Sequence, residues 1–188
     1  MAIKDYDGTT KYEIGKLRDY DGTTKYDIGK VYDYDGTTKS LIYSNEYLIS
    51  DTSTNLWGTP SVGQSGSYNS AYAGGFDGGI HIGVWDCWMG YEDVTFSCPN
   101  SISTSGYKTL YITYNYSSST YGSQKNIGIN INGTTIDRTF YGNDETGTKT
   151  LTYDVSSLSS IKISGYAQVT DVGGCASIDM WIVKSWLE

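Results

Sequence analysis

The chain has little proline, phenylalanine or histidine and no long apolar run. Of 188 residues, 2 are Pro, 3 are Phe and 1 is His. No apolar run approaches the roughly 20 residues of a membrane-spanning helix, and the opening Met-Ala-Ile-Lys-Asp lacks the apolar centre of a signal peptide. We therefore expect no membrane insertion and synthesis without a signal peptide.

Positive charge is also scarce, since 13 Lys and Arg stand against 21 Asp and Glu, for a net charge of −8. This balance argues against nucleic acid as a partner. The acidity is uneven, because residues 1–39 carry eight acids and seven bases, whereas residues 40–188 carry thirteen acids and six bases.

The three cysteines, Cys87, Cys98 and Cys175, lack the spacing of metal ligands. We interpret them as free, packed thiols of a protein made inside the cell, where the sequons at Asn115 and Asn132 carry no glycan. We expect no metal and no cofactor.

Catalytic motifs are missing as well. His81 is the single histidine, and its alternation with Ile80 and Ile82 indicates a structural or surface residue of a strand. There is no nucleophile turn such as G-x-S-x-G and no phosphate loop. Acids are plentiful, but the sequence does not pair any two as glycoside hydrolysis requires. We predict that the chain is not an enzyme.

The abundant residues favour strands and turns, with 23 Gly and 19 Tyr. Apolar and polar residues alternate within 110–116, 127–131, 151–155, 161–163 and 178–182, and Asn132-Gly133 is a hairpin signal. The pattern predicts an all-β chain whose residues 40–188 form a β-sandwich of the jelly-roll type, with a long loop over 51–78.

Residues 1–39 contain the same sequence motif three times. The motif D-Y-D-G-T-T-K begins at Asp5, Asp19 and Asp33, a spacing of fourteen residues. We predict short β-repeats whose few apolar side chains cannot close a core in one chain, so that they stack on each other or on other copies. The predicted packing residues are Tyr12, Ile14, Leu17, Tyr20, Tyr26, Ile28, Val31 and Tyr34. A calcium-binding loop is disfavoured. If the loop began at Asp5 or Asp19, its twelfth position would be Lys16 or Lys30 instead of the required Glu.

These repeats resemble the triple β-spiral shafts of viral fibres, although a plain β-meander could use the same turns. The runs "YKTLYITYNYSSS", "IGININGTT", "TKTLTYDVSSLSSIKISGYA" and "SIDMWIVKSWLE" resemble galactose-binding-like sandwiches in virion proteins of phages and prophages of Gram-positive gut bacteria. The resemblance implies a homotrimeric fibre or capsid-decoration protein on the virion surface. It would be made in the bacterial cytoplasm, anchored to another virion protein and directed at host surface polysaccharide. It does not distinguish tail from head attachment.

Sugar binding uses aromatic faces together with carboxylates and amides. The candidates that combine these types are Trp57, Tyr72, Asp77, Trp85, Asp86, Trp88, Tyr141 and Asn143. Two alternative functions stay open: a monomeric carbohydrate-binding module with the repeats as a spacer, and a small glycosidase or depolymerase.

Overall fold

We describe a computed structural model of the chain. It describes residues 3–6, 11–14, 17–20, 23, 25–28, 30–34, 39–44, 46–66, 71–73, 80–87, 91–119, 124–140, 145–170 and 175–188. The secondary structure in these ranges consists of strands, one isolated β-bridge, turns and bends. No described segment forms a helix long and apolar enough to cross a membrane. Two compact units are present, residues 1–47 with Glu188 and residues 48–187.

The first unit consists of three antiparallel hairpins. Its strands are β1 (Ile3–Tyr6), β2 (Lys11–Ile14), β3 (Leu17–Tyr20), β4 (Lys25–Ile28), β5 (Lys30–Tyr34) and β6 (Lys39–Ser44). β1 pairs with β2, β3 with β4 and β5 with β6. The two strands of each hairpin therefore flank one Asp-Gly-Thr-Thr segment in the sequence. The predicted packing residues lie on β2 to β5, but their side chains lie outside the described part of the structure.

The rest of the chain forms a β-sandwich, as the alternation predicted. Its strands are β7 (Tyr47–Ser50), β8 (Ser61–Gly66), β9 (Ala71–Ala73), β10 (Ile80–Cys87), β11 (Tyr91–Ser97), β12 (Ile102–Ser103), β13 (Thr109–Ser118), β14 (Gln124–Ile131), β15 (Thr134–Phe140), β16 (Glu145–Asp154), β17 (Ser160–Ile161), β18 (Ile163–Thr170) and β19 (Cys175–Leu187).

Two antiparallel sheets make up the sandwich. One has the order β16-β13-β19-β10-β9, with β7 also paired to β19; the other has the order β15-β14-β18-β11-β8. β12 and β17 form a separate short pair. The region 51–78 was predicted as a long loop and is not one throughout, because β8 and β9 add a strand to an edge of each sheet. The Gly- and Ser-rich composition of this region did not indicate these strands. A low apolar content is compatible with an edge position, because an edge strand buries fewer side chains.

The core lies between the sheets and follows the predicted alternation. Ile112 and Ile182 are fully buried in the six-stranded sheet, as is Ile163 in the five-stranded sheet. Asn132 and Gly133 adopt φ angles of 52° and 81° and join β14 to β15. Because Ile131 pairs with Thr134, this is the predicted two-residue hairpin turn.

Candidate functional site

Several half-buried aromatic rings lie on the outer face of the six-stranded sheet. On β13, Leu110, Ile112 and Tyr114 are buried toward the core, whereas Tyr111 and Thr113 between them are half-buried on the outer face. The same alternation on β10 leaves His81 on the outer face. The candidate site is therefore defined by the neighbouring rows of this face on β13, β19 and β10.

A β-bulge in β19 sets which of its residues reach this face. Thr113 pairs with Lys184 and Tyr114 pairs with Ile182, so Val183 has no counterpart on β13. An extra residue of this kind reverses the in–out alternation beyond it. As a result, Trp181, Lys184 and Trp186 are all half-buried on the outer side, while Ser185 and Leu187 turn into the core.

Trp181 is the central aromatic side chain of the site. It pairs across strands with His81, and the two rings stack with centroids 4.4 Å apart and an interplanar angle of 22°. Trp181 pairs on its other side with Asn115. Trp181 is half-buried, with His81 stacked on one face of its indole and Asn115 as its neighbour on the adjacent strand.

A second pair of rings lies farther along the same strands. Tyr111 and Trp186 stack with centroids 4.9 Å apart and nearly parallel planes, at 6°. The ammonium of Lys184 lies 4.3 Å from the Trp186 ring centroid, a cation–π contact. Tyr111 and Lys184 both contact the Trp186 ring. We therefore expect this ring to offer less surface to a ligand than Trp181.

Hydroxyl and amide groups on β13 and β16 lie beside Trp181. Thr148 on β16 donates a hydrogen bond from Oγ1 to Asn115 Oδ1 at 2.7 Å, and the hydroxyls of Thr113 and Thr150 lie 2.9 Å apart. These hydrogen bonds restrain the side chains of the residues involved: Thr113, Asn115, Thr148 and Thr150. The same edge of the sheet ends in an open cleft of about 410 Å³ lined by Lys108, Thr109, Thr152, Tyr153, Asp154 and Ser156.

His81 and Asp179 form a polar pair beside Trp181. His81 Nε2 lies 3.5 Å from Asp179 Oδ1, and both side chains are about one-fifth exposed, at 22% and 21%. Burial lowers the pKa of His81 below its ordinary value of 6.5, although the Asp179 carboxylate acts in the opposite direction. The imidazole is therefore neutral at pH 7, so this contact is a hydrogen bond to a carboxylate and not a full ion pair.

We expect the stability of the fold to decrease as the pH falls below 6.5, partly through His81. Because its folded-state pKa is lowered, the unfolded chain takes up this proton more readily, and the stability present above pH 6.5 is lost as pH falls through the folded-state pKa. Melting temperatures measured from pH 7.5 to pH 5 should decline less steeply for His81→Gln than for the wild-type chain. Parallel declines would show that His81 titrates as it does in the unfolded chain.

The five-stranded sheet offers a smaller aromatic surface on its own outer face. Tyr166 on β18 pairs with Gly128 on β14, and a Cβ at position 128 would come within 2.3 Å of the Tyr166 ring. The phenol ring therefore lies over the glycine. Tyr166 is half-buried and provides an internal comparison for Trp181.

The predicted sugar-binding residues have different outcomes. Trp57 is fully buried, so the prediction that its ring meets a ligand is wrong. Its indole Nε1 donates to Ser185 Oγ at 2.8 Å, which makes it a core residue. Tyr72 pairs with Gly83, and Trp85 and Asp86 pair with Ser177 and Ala176, which places all three on the six-stranded sheet; their side chains are not among the described ones. Asp77, Trp88, Tyr141 and Asn143 lie outside the described residues.

Trp181, Trp186 and Tyr111 belong to the site but were not among the residues predicted for it from the sequence. Strict alternation from Ile182 would place Lys184 and Trp186 in the core. A lysine at an apparent core position, directly after the apolar pair Ile182-Val183, was the available signal of a bulge.

Comparisons with known proteins give matches at the level of structure. No protein-family model matches the chain, and no curated protein matches it. Among solved structures, it is similar to the enzymatically active domain of tailspike protein 4 of bacteriophage CBA120, with 10% identity, a TM-score of 0.44, and coverage of 70% of this chain and 20% of that one. The chain thus spans about a fifth of the tailspike domain's length.

Carbohydrate-binding modules are also similar. A family 11 module from Clostridium thermocellum, solved with a β-1,3-1,4-mixed-linked tetrasaccharide, shows 17% identity and a TM-score of 0.34, over 76% of this chain and 94% of that one. A module of the β-sandwich superfamily shows 14% identity and a TM-score of 0.38, over 86% and 85%. The likeness concerns the type of β-sandwich alone.

Proposed function

We propose that the β-sandwich is a carbohydrate-binding module without catalytic activity, and that the glycan lies on the outer face of the six-stranded sheet. The observation that carries the proposal is the half-buried Trp181 ring on this face, whose cross-strand neighbour Asn115 accepts a hydrogen bond from Thr148. An indole face packs against the apolar side of a pyranose, while amide and hydroxyl groups hold its hydroxyls. Asp179 and Lys184 add charged groups on the same face.

Two of the described acids on the six-stranded sheet, Asp179 and Asp154, lie too far apart to act as a glycosidase pair. Asp179 pairs with the Ser117 row of β13 and Asp154 with the Thr109 row, eight residues apart along the strand. At about 3.4 Å per residue this separation is roughly 27 Å. A glycosidase pair lies about 5–9.5 Å apart. These two acids therefore do not form such a pair.

The test is a titration of the full chain with soluble β-glucan, galactan, xylan and a Gram-positive cell-wall polysaccharide. We expect saturable binding to at least one of them by calorimetry, with no release of reducing ends on long incubation. Residues 45–188 alone should bind a monovalent oligosaccharide of that glycan equally well. Failure of every glycan to bind would refute the proposal, and release of reducing ends would favour a depolymerase.

We also propose that the N-terminal hairpins assemble between copies of the chain, as in a homotrimeric fibre or decoration protein of a virion. In the described part of the first unit each hairpin is a separate two-stranded sheet with strands of four to six residues. An isolated hairpin of this size is marginally stable in water. Strands or apolar side chains from other copies would supply the missing contacts.

Light scattering tests this assembly. We expect the full chain to have about three times its 20.7 kDa mass, and residues 45–188 to be monomeric. Binding to a multivalent polysaccharide should then be weaker for the truncated chain by ~10²-fold or more, through loss of avidity. If both proteins are monomers, the repeats act as a spacer and the single binding module stands.

A further inference from the structure

Two of the three cysteines meet at one end of the six-stranded sheet. Cys87 ends β10 and Cys175 begins β19, and the register of this antiparallel pair places them directly opposite each other. They are 88 positions apart in the sequence, so only the fold brings them together. The same register places His81 opposite Trp181, six residues along.

This placement meets the backbone requirement of a disulfide. Residues directly opposite in an antiparallel pair have Cα atoms about 4.5–5.5 Å apart. Disulfides span Cα separations of about 4.4–6.8 Å. We infer that Cys87 and Cys175 form a cross-strand disulfide when the protein meets an oxidising environment.

The third cysteine does not compete for this bond. Cys98 is a fully buried free thiol that follows β11 of the other sheet. Burial raises its pKa to about 12, whereas the nearby Lys162 has the opposite, smaller effect. Since the thiolate is the reactive form, Cys98 is inert at neutral pH.

The chemistry is thiol–disulfide exchange with a small-molecule disulfide such as oxidised glutathione. The thiolate of one cysteine attacks the glutathione disulfide, forms a mixed disulfide and releases one glutathione. The second cysteine then attacks the mixed disulfide and releases the other glutathione. The two protein thiols lose two electrons and two protons, and the oxidant is reduced to two thiols.

The bond would fix the register of the two strands that carry Trp181 and His81. A slip of one residue between strands transfers every side chain to the other face of the sheet. β19 also carries the β-bulge at Val183 that sets which of its residues reach the site. The bond also closes a long segment of chain, which stabilises the fold mainly by restricting the unfolded state.

The experiment uses the full chain equilibrated in a glutathione buffer poised at about −180 mV. Free thiols are alkylated, and proteolytic peptides are then analysed by mass spectrometry. We expect peptides of Cys87 and Cys175 joined to each other, with Cys98 alkylated only after unfolding. The oxidised chain should melt roughly 5–15 °C above the reduced chain.

Variants separate this bond from other effects. Cys98→Ala should leave the link and the melting difference between oxidised and reduced protein in place, whereas Cys87→Ser should abolish both. The wild-type peptide analysis decides the matter even if Cys87→Ser does not fold. Three free thiols at that potential, or a link that involves Cys98 or a second chain, would overturn the inference; none of these outcomes depends on glycan binding.

Discussion

Replacing Trp181 with alanine is expected to weaken glycan binding by about 30-fold, which corresponds to roughly 2 kcal/mol. The reason is that Trp181 presents a half-buried indole on the outer face, with His81 stacked on one side of the ring and the hydrogen-bonded pair Asn115 and Thr148 on the next two strands. The measurement is calorimetry of the wild-type and Trp181→Ala chains with the glycan identified in the titration, after their melting temperatures have been compared.

Two matched variants make this result specific. Tyr166→Ala removes an aromatic ring from the opposite face of the sandwich and should change the affinity by less than about twofold. Trp186→Ala should have a smaller effect than Trp181→Ala, because Tyr111 and Lys184 already engage the Trp186 ring. If Tyr166→Ala abolishes binding and Trp181→Ala does not, the glycan lies on the five-stranded sheet and our placement is wrong.

The sandwich could be predicted because its central strands obey a local rule. Ile127, Ile129 and Ile131 alternate with polar or glycine residues and are buried, and Asn132-Gly133 forms the turn that these two residue types favour. Each of these features depends only on neighbours in the sequence, and so the sequence is sufficient to predict them.

The candidate site could not be predicted in the same way, because it depends on pairing between distant strands. Trp181 and His81 are 100 positions apart and meet only through the register of β10 with β19. Trp186 faces outward only because the pairing with β13 skips Val183. Trp57 was misplaced for the same reason: its hydrogen-bond partner Ser185 is 128 residues away, and a tryptophan in a polar segment looks like a surface residue without it.

Trp57 is instead expected to be one of the most sensitive positions for stability. Trp57→Ala should lower the free energy of unfolding by about 3–5 kcal/mol, because the change removes a fully buried ring and leaves a cavity. Chemical denaturation of residues 45–188 measures this directly. A loss below about 1 kcal/mol would mean that the ring does not pack in the core.

The indole also holds a buried polar group, whose contribution can be separated from packing. Ser185 Oγ accepts from Trp57 Nε1 at 2.8 Å and lies 2.7 Å from Ser50 Oγ. Ser185→Ala leaves the buried N–H of the indole without this acceptor, at a cost of about 1–3 kcal/mol. In a Trp57→Phe background there is no N–H to satisfy, so Ser185→Ala should cost measurably less there. Equal costs in both backgrounds would assign the effect to the Ser50 contact or to packing, and would show that the hydrogen bond from Trp57 contributes little to the stability of the core.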